Sequence, residues 1–152
     1  MGSMSMGPTV RVGADLVAVR SVAESIACFG DRYLHRIYTD HELASCVGSP
    51  SVTSAGLAAR FAAKEATLKV LRPSGRRPDW LSIEVVRHAE GWCSMSLHGY
   101  AATLAAEAGI HDVAVSLTHE ENVAAAVVVA LCFGAGSSEA QSVEEFELIG
   151  VG

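Results

Sequence analysis

Lysine is almost absent from this 152-residue chain: Lys64 and Lys69 are the only two, and every other fixed cation is arginine. Charge is sparse at 18%, aromatics reach only 6%, and proline occurs four times. Half of the residues are hydrophobic and mean hydropathy is +0.31, which excludes the polar compositions that stay disordered and calls for a core or a subunit contact to cover the apolar surface. The longest apolar run, 123–133, falls short of the ~20 residues that cross a bilayer, so no membrane span is expected. No secretory leader is expected from the first residues, and Met1-Gly2-Ser3-Met4 reads as a cloning remnant before a second start. Paired cysteines are missing too: Cys28, Cys46, Cys93 and Cys132 lie far apart without a C-x-x-C, and read as reduced, packed thiols of a cytoplasmic protein. A basic excess is lacking, and the net charge of −6 argues against nucleic acid. Glu139, Glu144, Glu145 and Glu147 fall in 135–152 with no cation, which reads as a disordered acidic tail behind a nearly neutral body. Residues 1–8 then read as a tag or disordered leader and 9–134 as one folded domain.

What is present is a mixed chain. Val10, Val12, Ala14 and Leu16 alternate, predicting a strand to about residue 19, with Gly13 as a bulge or close backbone approach. Val19, Val22, Ala23 and Ile26 recur at helical spacing up to Gly30, and a second helical segment follows Asp31. Thr39-Asp40-His41-Glu42 has capping-box spacing, in which hydroxyl and carboxylate reciprocally satisfy backbone donors, so a short helix is expected over 40–46. Gly48-Ser49-Pro50-Ser51 is expected as a loop, with Thr53 or Ser54 capping the longest helix, which runs to about Arg72 before Pro73. Strands over 80–87 and 92–97 join through Glu90-Gly91; a helix over 100–108, a strand through Val113, Val115 and Leu117, and a strand over 122–133 complete the body. Without regular β-α-β alternation the class is α+β, a small antiparallel sheet packed with one long helix and short helices.

The long helix is unlike a surface helix. Leu57, Phe61, Leu68 and Leu71 form one stripe with Lys64 in its middle, and the opposite face is Ala58, Ala59, Ala62, Ala63 and Ala66. Packing on more than one side is expected. Glu65 and Lys69, at i and i+4, stand at the edge of the stripe and read as an ordinary helix pair, or else Lys64 and Lys69, the only lysines, are kept as compact point charges suited to phosphate.

Phe61-Ala62-Ala63-Lys64-Glu65-Ala66-Thr67-Leu68-Lys69 resembles the F-A-x-K-E-A-x-x-K motif of 4′-phosphopantetheinyl transferases of the holo-[acyl-carrier-protein] synthase type. Gly13-Ala14-Asp15-Leu16-Val17 is similar to that family's amino-terminal G-x-D strand, and Val115-Ser116-Leu117-Thr118-His119 to its V-S-[LI]-[ST]-H strand. Trp80-Leu81-Ser82-Ile83-Glu84-Val85 matches the intervening strand more loosely, and the order holds over about 10–133. The resemblance implies the family's fold and its reaction, transfer of 4′-phosphopantetheine from coenzyme A to a serine of an apo acyl carrier protein with release of 3′,5′-ADP. It implies a homotrimer with coenzyme A between neighbouring subunits, and leaves open a fatty-acid, polyketide or peptide-synthase carrier. By the same resemblance Asp15 and Glu65 hold magnesium, Lys69 sits on the pyrophosphate, and His119 is a coenzyme A contact and proton relay, with Arg60 and Lys64 as further coenzyme A contacts. Attack of a hydroxyl on a pyrophosphate needs charge neutralisation, which a hard cation on a few carboxylates supplies, and Glu65, directly or through a water, is then the base. Apart from the resemblance, Asp15 reads as a capping carboxylate and His119 as an ordinary packed or exposed side chain; His35, His41, His88, His98 and His111 share no metal spacing.

The sequence departs from the family after Lys69, where Val70-Leu71-Arg72-Pro73-Ser74-Gly75-Arg76-Arg77 replaces a glycine-rich G-T-G turn; Ala14 also replaces a larger aliphatic residue. Arg72, Arg76 and Arg77 are expected on the 3′-phosphate of coenzyme A through bidentate bonds, or else as a solvated loop. Arg20, Arg32 and Arg36 match the family's basic carrier-docking helix and are expected to meet an acidic carrier protein. The alternative to an enzyme is a noncatalytic carrier-binding or scaffolding domain of the same fold.

Overall fold

A computed structural model describes residues 7–134; the first six residues of the expected leader and the acidic tail 135–152 lie outside the described residues. Strand β1 (Thr9–Ala18) runs directly into helix α1 (Val19–Phe29), followed by α2 (Asp31–Ile37) and α3 (Asp40–Ala44). The long helix α4 (Pro50–Leu71) comes next, then hairpin β2 (Ile83–Arg87) and β3 (Cys93–Leu97), helix α5 (Gly99–Glu107), and strands β4 (Ile110–His119) and β5 (Val123–Cys132). The α+β expectation holds, with the strands divided into two sheets: an antiparallel trio in the order β1-β5-β4 and the separate β2-β3 pair.

Several boundaries shift by one or two residues from the sequence expectation, and two shift further. Helix α4 begins at Pro50, with the Ser49 side chain accepting from Val52 N–H, in place of a cap at Thr53 or Ser54. Proline suits the first helical position because its missing N–H would be unsatisfied there anyway. The strand expected from residue 80 begins at Ile83, because Trp80–Ser82 closes as a 3-10 turn in which the Leu81 N–H donates to the Asp79 carboxylate at 3.2 Å. The capping box at α3 is present, with Glu42 N–H donating to Thr39 Oγ1 and Thr39 N–H to Glu42 Oε2.

Helix α4 is enclosed on several sides. Ala62, Ala63 and Ala66 lie against Ala126, Val128 and Ala130 of β5, where small side chains let helix and sheet approach closely. Leu57 joins Val22 and Ile37 of α1 and α2, while Leu68 and Leu71 join Ile83 and Leu104. Truncating such a leucine to alanine costs ~2–5 kcal/mol through lost burial and the cavity left behind. Gly13 permits the closest approach: a Cβ there would collide with the Ala66 carbonyl and lie 3.1 Å from Val70 Cγ2. The glycine in β1 is thus a close backbone contact, and it brings the strand carrying Asp15 against the helix carrying Glu65 and Lys69.

Candidate active site

Alternation along β1 turns Arg11, Gly13, Asp15 and Val17 toward α4 and leaves Val10, Val12, Ala14 and Leu16 facing out. Asp15 stands opposite Ala126 in the β1-β5 register, so the side chain directly across from it on the central strand is a methyl group. Lys69, in the last turn of α4, donates to Asp15 Oδ1 at 2.9 Å and to the Ala14 carbonyl at 2.6 Å. The ordinary Glu65–Lys69 helix pair is therefore not formed; Lys69 reaches across to the strand. Glu65 lies one turn earlier and is partly buried. Burial first, and then the neighbouring Asp15 charge, push its carboxyl above the usual range, against the opposing pull of Arg77 and Lys69. Two carboxylates close enough to repel, with a half-exposed lysine beside them, make a site for a cation and a phosphate together.

Among the described residues no group of three or more His, Cys, Asp or Glu side chains could hold a metal ion. The residues present nonetheless fit magnesium, which is commonly held by one or two carboxylates and completes its shell with water and substrate phosphates. The mutual repulsion of Asp15 and Glu65 is what such a cation would relieve.

The other site residues expected from sequence fall in separate places. Arg60 and His119 line one hollow of about 310 Å³ with Ser45, Cys46, Arg87 and Leu117; none of Asp15, Glu65 and Lys69 lines it. Arg60 is buried, donating from Nη1 to the Gly56 carbonyl (3.1 Å) and from Nη2 to Ser45 Oγ (2.9 Å), while its Nε meets no protein partner. Arg36, Arg76 and Arg77, split in the sequence reading between carrier and coenzyme A, line a single groove of about 550 Å³ together with Pro78, Asp79 and Trp80. Arg76 also stacks its guanidinium over Tyr100 at 4.8 Å. Arg72 is exposed and caps α4 in a left-handed conformation (φ 51°). Arg20 is exposed and paired with Glu24 at 2.7 Å, and Arg32 is exposed on α2.

Lys64 corrects the sequence reading. Its side chain is 0% exposed and its Nζ is held 2.9 Å from Glu42 Oε2 and by the Trp80 and Ile83 carbonyls, so it has no face to offer coenzyme A. Burial pushes its ammonium below the usual range, and Glu42 opposes that shift. Glu42, seen in the sequence only as half of a capping box, is the residue missed there; the signal for it was a lysine in the middle of an apolar stripe, which requires a buried anion.

A model of the 4′-phosphopantetheinyl transferase superfamily matches residues 11–131. The holo-[acyl-carrier-protein] synthase of Chloroflexus aurantiacus is 41% identical over 130 residues, spanning 78% of this chain and 95% of that protein. The solved acyl carrier protein synthase of Mycobacterium tuberculosis is 33% identical with a TM-score of 0.62, covering 81% of this chain and 96% of the other. An ACPS–coenzyme A complex from Chronobacterium ammoniagenes is 26% identical with a TM-score of 0.71, covering 84% of this chain and 99% of the other. With motif, fold and length in agreement, the chain belongs to the 4′-phosphopantetheinyl transferase superfamily.

Proposed function

We propose that the chain is a transferase that moves 4′-phosphopantetheine from coenzyme A to a serine hydroxyl of an apo acyl carrier protein. The observation that carries this reading is the Asp15–Lys69 contact set beside a partly buried Glu65, on the matching positions of the family motif. The carrier's serine proton goes to Glu65, directly or through a water. The serine oxygen forms a bond to the β-phosphorus as the bond from that phosphorus to the bridging oxygen breaks, and 3′,5′-ADP departs. Lys69 keeps donor capacity toward solvent and compensates the charge growing on the departing phosphate. A magnesium ion held by Asp15 and Glu65 would supply charge neutralisation on the pyrophosphate.

Arg60 and His119 remain proposed coenzyme A contacts, delivered by a neighbouring copy, and two observations support a homotrimer with shared sites. Their hollow is separate from the Asp15–Glu65 cluster. The outer face of the three-stranded sheet also leaves Val10, Val12, Val127 and Leu16 exposed, Leu16 at 72%, an apolar surface suited to burial against a second copy. Arg72, Arg76 and Arg77 stay assigned to the 3′-phosphate, and Arg20, Arg32 and Arg36 to an acidic carrier. The free cysteines accord with a cytoplasmic setting, and no helix among the described residues is long and apolar enough to cross a membrane.

Incubation with coenzyme A, magnesium and apo carrier proteins of the fatty-acid, polyketide and peptide-synthase types, read by mass spectrometry, tests the reading. A phosphopantetheine adduct on the carrier serine is the expected result. Carrier binding without any adduct would favour the noncatalytic scaffold.

A further inference from the structure

Glu42 and Lys64 have no part in the transfer chemistry above, yet they are the two charged side chains with no exposure among the described residues. Their contacts radiate into four elements. Glu42 Oε2 accepts from Thr39 N–H at 2.9 Å at the start of α3, and Oε1 accepts from Val85 N–H at 2.8 Å in β2. Lys64 Nζ, on α4, lies 2.9 Å from Glu42 Oε2 and donates to the Trp80 carbonyl at 2.9 Å and to the Ile83 carbonyl. Stability alone does not call for this arrangement, because a well-packed apolar replacement of a buried ion pair is often neutral or stabilising. What an apolar pair cannot supply is direction: a single ammonium bonded three ways fixes both the rotation of its helix and the course of the backbone it touches.

Lys64 is the residue before Glu65, about 100° around the helix. Its anchorage therefore sets where Glu65 points, and a small rotation of α4 would swing Glu65 away from Asp15. The Trp80 and Ile83 carbonyls also end the loop that carries Arg76 and Arg77, so the same ammonium ties one wall of the arginine groove to the helix. We propose that Glu42 and Lys64 are positioning residues for the transfer, a buried strut that holds α4 and the 73–82 segment at the angle placing Glu65 beside Asp15. The inference rests on the transferase reading.

The test compares wild type with Lys64→Met, Glu42→Gln, the double variant and Glu42→Asp, by melting temperature, near-ultraviolet circular dichroism and steady-state transfer well below every melting point. Each of the first two single variants leaves one buried group without its counter-charge and lowers the melting temperature; the double variant removes both charges and regains it. Positioning predicts that the double variant nevertheless keeps a kcat at least about tenfold below wild type, since a misplacement of ~1 Å costs up to about a hundredfold, with kcat falling by more than KM for coenzyme A rises. A double variant that regains kcat together with its melting temperature overturns the proposal. Glu42→Asp keeps both charges and withdraws the carboxylate by one methylene; it should lose kcat while folded, and an unchanged kcat there overturns the proposal even if the double variant does not fold. A wild type that transfers nothing to any carrier overturns the transferase reading and this inference with it. An active wild type with unaffected variants overturns the inference alone.

Discussion

The only two lysines of the chain sit five residues apart on one helix and are put to opposite uses. Lys64 points into the protein, has lost all exposure, and directs its ammonium to one carboxylate and two carbonyls. Lys69 stands half-exposed at the edge, bonded to Asp15 and the Ala14 carbonyl, with room for a further acceptor. The difference follows from solvation. A buried ammonium must have every proton accepted by protein, so it becomes a rigid joint; an ammonium at the rim shares its protons with water and can exchange water for phosphate.

The sharpest way to break that contrast is at the carboxylates beside Lys69. Glu65→Gln removes the proposed base and should lower transfer by roughly a hundred- to ten-thousandfold, and Asp15→Asn should also abolish most turnover. Melting temperatures of both should stay near wild type, because each relieves a repulsion between like charges and the part-exposed Asp15–Lys69 pair weakened by Asp15→Asn is worth no more than ~1 kcal/mol. Near-normal turnover of Glu65→Gln at limiting magnesium would remove Glu65 from its assigned role.

Exchanging the two lysines' fates comes next. Lys64→Met should cost ~3–5 kcal/mol of stability by leaving Glu42 buried without its partner. Lys69→Met should cost no more than ~1 kcal/mol, as expected for an exposed pair, yet lose about a hundredfold or more in kcat. Denaturant melts and steady-state rates on the same preparations give both numbers. Equal stability losses would erase the distinction.

The third test is titration of Glu65 in metal-free protein, followed by carboxyl NMR. Burial and Asp15 raise its pKa, so the folded state holds this proton more tightly than the unfolded chain does. Stability linked to Glu65 is therefore present at low pH and is lost as pH rises from the ordinary glutamate range through the raised value. Asp15→Asn should lower the Glu65 pKa, and Glu65→Gln should remove that segment of the pH–stability curve.

Smaller effects are expected from the arginines. Replacing Arg76 or Arg77 by alanine should weaken use of coenzyme A about tenfold, as for loss of one charge-assisted bond. The penalty should mostly vanish with 3′-dephospho-coenzyme A; an equal penalty with both donors would move these arginines, which share their groove with Arg36, to the carrier. Arg32→Glu should raise KM for the carrier several-fold through lost charge complementarity and leave KM for coenzyme A unchanged. Arg20, already paired with Glu24, should show less.

Much of this was legible in the chain itself. The capping box at Thr39, the stop at Gly30 and the uncharged alanine face of α4 follow from local sequence, because each depends on neighbours within a turn or on the size of the side chains along one helix face, whereas Gly13 reads equally as a bulge or a close approach and only its contact with Ala66 decides. The start of α4 was misplaced because Ser49, Thr53 and Ser54 are all competent caps, and the choice went to the serine directly before the proline. Asp15, Glu65 and Lys69 stood out by motif, whereas their actual pairing did not, since i,i+4 spacing suggests Glu65–Lys69 and only the packing of β1 on α4 shows Lys69 bonded to Asp15.

The α+β class, the order of the elements, the family and the charged residues available for chemistry are written along the chain, because periodicity, caps and motifs are properties of short stretches. The tertiary structure alone decided which of those charges face water. Lys64 met Glu42 and was withdrawn from the ligand set, Arg60 and His119 were gathered into a hollow apart from the carboxylates, and three arginines assigned to two tasks came to line one groove. The physical reason is that burial and pairing are set by residues 22 to 59 positions away in the chain, Glu42 to Lys64 and Arg60 to His119 among them. No local pattern encodes contacts at that separation.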